Sequence, residues 1–146
     1  MKDYGGERSW EDALAVYKLA LVCAQLNSEK DRVVAGLLHH IAWLYRYRED
    51  KEQEDRFLRY ALERYIAVFE YEGLDVNNAK LMYLIGELSR RTGDFKEAVR
   101  WYGRVINDKS IMDAAMIRAC KEQWSAAREE MIEKRMELPE EMKLQG

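Results

Sequence analysis

Proline and cysteine are scarce in this chain, and their scarcity excludes several classes of protein. The single proline, Pro139, lies close to the C-terminal end, so the rest of the 146 residues can form long helices. Cys23 and Cys120 are the only cysteines, which are too few and too far apart for a disulfide scaffold or a zinc site. We therefore expect both to be reduced thiols packed inside the fold.

Long apolar runs and an excess of positive charge are also missing. No segment approaches the roughly 20 apolar residues of a membrane-spanning helix, and residues 1–10 are polar, unlike a signal peptide. The net charge of −3 argues against neutralising the phosphates of a nucleic acid. We expect a cytoplasmic protein, one domain over residues 1–146, that binds neither membranes nor nucleic acid.

Residues that carry chemistry do not converge in the sequence. No phosphate loop, GxGxxG, nucleophile elbow or HExxH motif occurs. His39 and His40 are adjacent, so on a helix they point about 100° apart and cannot share a metal ion. Acidic pairs such as Glu49-Asp50 lie among lysines and arginines, which is typical of a solvated surface. We predict a non-enzymatic protein with no metal and no cofactor.

The composition that remains, 48% hydrophobic and 35% charged, favours a globular helical protein. Apolar periodicity predicts six helices, over about residues 9–27, 28–48, 52–71, 78–92, 95–107 and 111–136. Capping residues are expected to begin five of them, at Ser9, Ser28, Asn77 or Asn78, Asp94 and Ser110. Gly73 and Gly93 are expected to end the third and fourth helices.

Two short patterns recur along the predicted helices. The pattern Ala-x3-aromatic-x2-small occurs three times, at Ala13-Tyr17-Ala20, Ala61-Tyr65-Val68 and Ala98-Tyr102-Val105. An apolar residue followed by a small one occurs in the helix before the second and third of these, as Ile41-Ala42 and Ile85-Gly86. Small residues on both helices allow their axes to approach within about 8–10 Å, and the aromatic fills the wider gap beside them.

The stretch Ala79–Asn107, with its turn at Gly93-Asp94, resembles a tetratricopeptide repeat. The resemblance implies an all-α fold, a stack of antiparallel helical hairpins. A first helix without a partner precedes two hairpins, and the long charged sixth helix is a cap. The spacing between the small residues is 12 from Gly86 to Ala98 and 19 from Ala42 to Ala61, so the first hairpin is expected to be longer.

Three further stretches carry a second resemblance: Tyr17–Arg46, Leu81–Ile106 and Lys121–Trp124. Together they resemble the C-terminal half of a bacterial family catalogued as domain of unknown function 2225, over about residues 7–124. In that family a Cys-rich, zinc-ribbon-like segment usually precedes the helices. This chain has no CxxC motif, so it is either part of a longer protein or a divergent member. The resemblance implies the fold and a bacterial cytoplasm, and it supplies no activity.

The tetratricopeptide resemblance implies a concave groove lined by the first helix of each hairpin. Carried over position by position, the groove residues are His39, Trp43, Arg46, Tyr47, Lys80, Tyr83, Glu87, Arg90 and Arg91. Aromatics and arginines are enriched at binding surfaces, and arginine pairs well with carboxylates. The resulting hypothesis is a scaffold that binds a protein or peptide in this groove, which an acidic peptide would suit. The alternative is a structural or self-association module that packs on a zinc-ribbon-like N-terminal domain.

The first helix is expected to leave an apolar face uncovered, because no first-type helix precedes it. Leu14, Leu21 and Val22 extend its apolar stripe beyond the signature residues. An uncovered apolar patch tends to become an interface. A two-fold homodimer through the first helix is the simplest closed solution.

Overall fold

The computed structural model describes residues 7–26, 30–72 and 78–136. In these ranges it contains six α-helices and no strand, which confirms the predicted all-α class. The helices are α1 (Glu7–Leu26), α2 (Asp31–Tyr47), α3 (Lys51–Glu72), α4 (Asn78–Arg91), α5 (Phe95–Asn107) and α6 (Ala114–Met136). Helices α1 to α3 belong to one compact unit, unit 1, and α4 to α6 belong to a second, unit 2.

Some of the predicted helix boundaries agree with the structure and others do not. Asp94 caps α5 as expected, since its carboxylate accepts a hydrogen bond from the backbone N–H of Glu97 at 3.3 Å. The prediction for Ser9 is wrong, because α1 already begins at Glu7. The prediction for Ser110 is also wrong, because α6 begins at Ala114 and its capping carboxylate is that of Asp113. Ser28, Gly73 and Asn77 lie outside the described residues, and Asn78 is the first residue of α4.

In unit 1, α2 and α3 form a hairpin around the small residues that the sequence singled out. Ile41 and Ala42 on α2 and Ala61 on α3 are fully buried, and Tyr65 and Val68 are almost so. Burial of these apolar side chains supplies the main stabilisation of the hairpin. With 17 and 22 residues, α2 and α3 are longer than α4 and α5, with 14 and 13, as predicted.

Helix α1 packs antiparallel on α2. The indole N–H of Trp10 donates to the backbone oxygen of Leu44 at 2.6 Å, and the ring of Tyr17 lies parallel to that of His40 at 5.1 Å. Among the described residues of unit 1, α1 contacts α2 but not α3. Its signature residues are consequently only half-buried, unlike the equivalent residues of α3 and α5.

Unit 2 is built on the close approach of α4 and α5. Gly86 on α4 faces Tyr102 on α5, which is fully buried together with Ala98 and Val105. The turn between the helices places Gly93 at φ +84°, a conformation that glycine adopts without steric cost. The hairpin contact predicted from the sequence is therefore present.

Helix α6 covers the second hairpin, as expected for a capping helix. It packs on α5 and on α4, and buries Cys120 and Ala127 one above the other, two turns apart. Of the two cysteines, Cys120 is packed as predicted. The prediction was wrong for Cys23, which is exposed on α1.

Candidate protein-binding surface

Four of the predicted groove residues lie along one side of α2, which we call the α2 face: His39, Trp43, Arg46 and Tyr47. Their spacing of four, three and one residues keeps them on neighbouring turns of the helix. The Arg46 guanidinium carbon lies 4.9 Å from the centre of the Trp43 ring, a cation–π distance. Trp43 is half-buried, Arg46 is exposed, and Tyr47 keeps 40% of its surface exposed. His39 is half-buried, with its ring edge-on to Tyr65.

The five predicted groove residues on α4 divide into two groups. Lys80 and Arg91 are exposed. Tyr83, Glu87 and Arg90 are half-buried and interact with α5 and α6. On unit 2, therefore, more than half of the predicted residues also hold the three helices together.

Glu87 lies at the centre of this second group. The hydroxyl of the buried Tyr102 donates to Glu87 Oε1 at 2.9 Å, and the Tyr83 and Tyr102 rings lie 5.8 Å apart. Burial, followed by the negative charge of Glu87, raises the pKa of both tyrosines above the usual value of 10. The same two causes raise the pKa of the Cys120 thiol to about 11. All three groups therefore stay protonated at neutral pH.

Arg90 joins α4 to α6. Its Nε lies 2.7 Å and its Nη2 lies 2.5 Å from Glu130 Oε1, and its Nη1 donates to Gln123 Oε1. The hydrogen bond to Glu130 raises the pKa of the guanidinium further. Its charge is thus compensated within the chain. Glu130 and Gln123 were missed by sequence reasoning, because they lie 40 and 33 residues away and no local pattern links them to Arg90.

A cleft of about 370 Å³ lies between α5 and α6. Its lining residues are Gly103, Ile106, Asn107, Lys121, Trp124 and Ser125. Trp124 forms one wall and itself carries the Arg128 guanidinium at 5.4 Å from its ring centre. The lining offers one ammonium group, that of Lys121, beside the indole ring of Trp124.

Within the described ranges, no group of three or more His, Cys, Asp or Glu side chains is arranged to hold a metal ion. None of the helices in those ranges is both long and apolar enough to cross a bilayer.

The fold and this surface define an all-α protein of helical hairpins, whose packing is consistent with tetratricopeptide-like units. The family model described as "Uncharacterized protein conserved in bacteria (DUF2225)" matches residues 1–127. The chain belongs to this bacterial family, as the resemblance of its helical stretches indicated. No curated protein matches the chain.

Proposed function

We propose that this protein is a non-enzymatic, cytoplasmic scaffold that binds an acidic segment of another protein through the α2 face. The observation that carries the proposal is the pairing of Trp43 with Arg46 on an accessible side of α2. A ring and a guanidinium together offer apolar area and a fork of donors for a carboxylate. The free cysteines suit a reducing compartment such as the cytoplasm.

A second pair in the chain supports the choice of this surface. Trp101 and Arg104 on α5 have the same spacing, and the guanidinium lies 4.6 Å from the ring. Trp101 is only 5% exposed, so it is part of the core of unit 2. Trp43 is less deeply buried than Trp101, although burying a tryptophan stabilises a fold. A binding role accounts for this difference.

This proposal retains only some of the nine groove residues predicted from the sequence. Lys80 and Arg91 are exposed on α4, in unit 2, and are not part of the α2 face. Tyr83, Glu87 and Arg90 are assigned to holding α6 instead, since their polar atoms already have partners there or on α5. Loss of binding on changing Arg90 would therefore be hard to separate from loss of packing.

The test uses a displayed library of random 12-residue peptides selected on the wild-type chain. We expect the selected peptides to be rich in Asp and Glu, and to bind less tightly as salt rises from about 0.05 to about 0.5 M. Arg46→Glu should weaken the best peptide at least about tenfold, equivalent to about 1.4 kcal/mol. Arg104→Glu is the matched control, because it removes the same pairing on α5, and it should bind as wild type.

Equal binding by Arg46→Glu and wild type would contradict the proposal that the peptide binds at the α2 face. Failure to select any acidic peptide would contradict the proposed class of partner.

A structural or self-association role is the second candidate. It is supported by the apolar side chains that α1 exposes. Both roles can coexist, because α1 and the α2 face use different residues.

A further inference from the structure

The cleft between α5 and α6 presents donor groups that the packing of unit 2 does not use. The indole Nε1 of the half-buried Trp124 lies beside Gly103, 3.9 Å from the position that a Cβ there would take. The exposed ammonium of Lys121 lies about one turn earlier on α6. Neither this indole N–H nor this ammonium has a hydrogen-bond or ion-pair partner among the described residues. Ser125 and Asn107 add a hydroxyl and an amide to the lining, so the cleft is equipped to hold a polar group.

The wall that α6 contributes to the cleft is positively charged, and no described residue of the lining has a carboxylate. Lys121, Trp124 and Arg128 are spaced by three and four residues, so they lie on neighbouring turns of one side of α6. The guanidinium of Arg128 lies 5.4 Å from the centre of the Trp124 ring. Asp108, which follows α5, does not line the cleft, and its carboxylate accepts two hydrogen bonds from Ser110, at 2.9 and 2.6 Å. The local charge therefore favours an anionic group in the cleft.

Gly103 keeps the α5 wall of the cleft low. It lies inside α5, where glycine is less favourable than alanine. An added Cβ would lie at an ordinary van der Waals distance from Trp124 Nε1, so the packing of α6 on α5 does not require a glycine here. Gly86 differs, because Tyr102 leaves no room for a side chain there. What glycine provides at position 103 is open space beside the indole N–H.

We propose that this cleft binds a small aromatic carboxylate. The carboxylate accepts a hydrogen bond from the Trp124 indole N–H and pairs with the Lys121 ammonium, while the aromatic part packs on Ile106 and the Trp124 ring. The volume of about 370 Å³ lies in the range of small-molecule pockets. The lining residues span only about one turn of each helix, which is too short to hold an extended peptide segment. One ammonium and one neutral N–H suit a singly charged carboxylate better than a doubly charged phosphate.

The indole N–H signal of Trp124 in a proton–nitrogen correlation NMR spectrum reports binding, and Trp124→Phe assigns that signal. We expect phenylacetate to shift it saturably with a dissociation constant of about 1 mM, whereas the Trp10 signal stays in place because its N–H already donates to Leu44. Phenylacetamide, which lacks the charge, and acetate, which lacks the ring, should each bind at least about tenfold more weakly. Equal binding by either compound would overturn the proposed class of ligand. A Trp124 signal that phenylacetate does not shift at about 20 mM would reject the site.

Substitutions in the lining locate the ligand within the cleft. Lys121→Met removes the ammonium and should weaken phenylacetate at least about fivefold. Lys96→Met is the matched control, because Lys96 is exposed on α5 outside the lining, and it should bind as wild type. Gly103→Ala should raise the thermal unfolding midpoint, since alanine favours helix, yet weaken phenylacetate by narrowing the cleft. Equal effects of the two lysine substitutions, or wild-type binding by Gly103→Ala, would overturn the proposal. The α2 face plays no part in these experiments, so each proposal can fail without the other.

Discussion

At Gly86 the two helices of unit 2 are so close that an added Cβ would lie 2.7 Å from Cε1 of Tyr102. That distance is inside van der Waals contact, and Tyr102 is fully buried, so its ring has little room to move. We expect Gly86→Leu to lower the free energy of unfolding by about 1–3 kcal/mol through overpacking. Urea denaturation measures this change.

Gly36 offers a matched control for the previous prediction. It also lies inside a helix, yet an added Cβ there would have no neighbour within 4 Å. Gly36→Ala should therefore stabilise the chain by about 0.4–1 kcal/mol, because alanine favours helix and loses less entropy on folding. An unchanged midpoint for Gly86→Leu would mean that the α4–α5 contact is loose.

The buried hydroxyl of Tyr102 should make the protein sensitive to alkaline pH. Burial and Glu87 raise its pKa in the folded state, whereas the unfolded chain releases this proton near the usual value of 10. The Cys120 thiol acts in the same direction between its usual value of 9 and about 11. Since the folded state holds more protons, its stability is fully present below pH 9 and falls as pH rises above that value.

Urea midpoints between pH 8 and pH 11 test this expectation. Tyr102→Phe should be less stable at pH 8 by about 1 kcal/mol, because the bond to Glu87 is lost. It should then lose less stability than wild type on going to pH 11. Tyr71→Phe, at a residue that is 91% exposed, should follow the wild-type slope. Identical slopes for Tyr102→Phe and wild type would reject the role of this hydroxyl.

At the scale of helices, polar contacts complete the docking of α6 on α4. The Arg90 and Glu130 side chains are 29% and 34% exposed and in direct contact. Lys134 adds a hydrogen bond to the backbone oxygen of Gly93 at 3.0 Å. We expect a double-mutant cycle of Arg90→Ala and Glu130→Ala to give a coupling of about 1 kcal/mol that decreases at high salt.

The pair of Arg59 with Asp55 on α3 is the reference for this cycle. It has a similar N–O distance of 2.8 Å, but its side chains are 56% and 43% exposed and lie one turn apart on the same helix. Its coupling should be only about 0.3–0.5 kcal/mol. A coupling for Arg90 and Glu130 that does not exceed this reference would mean that α6 is held by apolar packing alone.

Helix positions were predictable because each helix carries its own local signals. The α4–α5 hairpin is the clearest case, since Gly86, Gly93 and Asp94 each have a single physical role that spacing identifies. The predicted helix starts at Ser9 and Ser110 were wrong because the pattern Ser-x-x-Asp is not specific to a helix start. At Ser9 it lies inside a helix, and at Ser110 it lies in a turn whose last residue, Asp113, is the one that caps the helix. The polar contact between α4 and α6 could not be predicted from the sequence, because Arg90 and Glu130 are 40 residues apart.

At the scale of the whole molecule, the expectation of one domain remains a prediction. The four tryptophans suit a test, because Trp10 and Trp43 belong to unit 1 while Trp101 and Trp124 belong to unit 2. In a variant that keeps only the first pair, with phenylalanine replacing the second, fluorescence reports unit 1 and far-ultraviolet circular dichroism reports both units. A single domain predicts that the two signals change at the same urea concentration.

The reciprocal variant, which keeps only Trp101 and Trp124, should give the same coincidence. Comparing two signals within each variant removes the effect of the substitutions on stability. Separate transitions in either variant would establish that the units unfold independently, as two domains.

Among the described residues of unit 1, α1 packs on α2 and not on α3. A helix that packs on only one other helix unfolds locally at a smaller free-energy cost than helices with more contacts. Amide protons of α1 should therefore exchange with solvent before those of α2 and α3, and unit 1 should lose its order from this helix first.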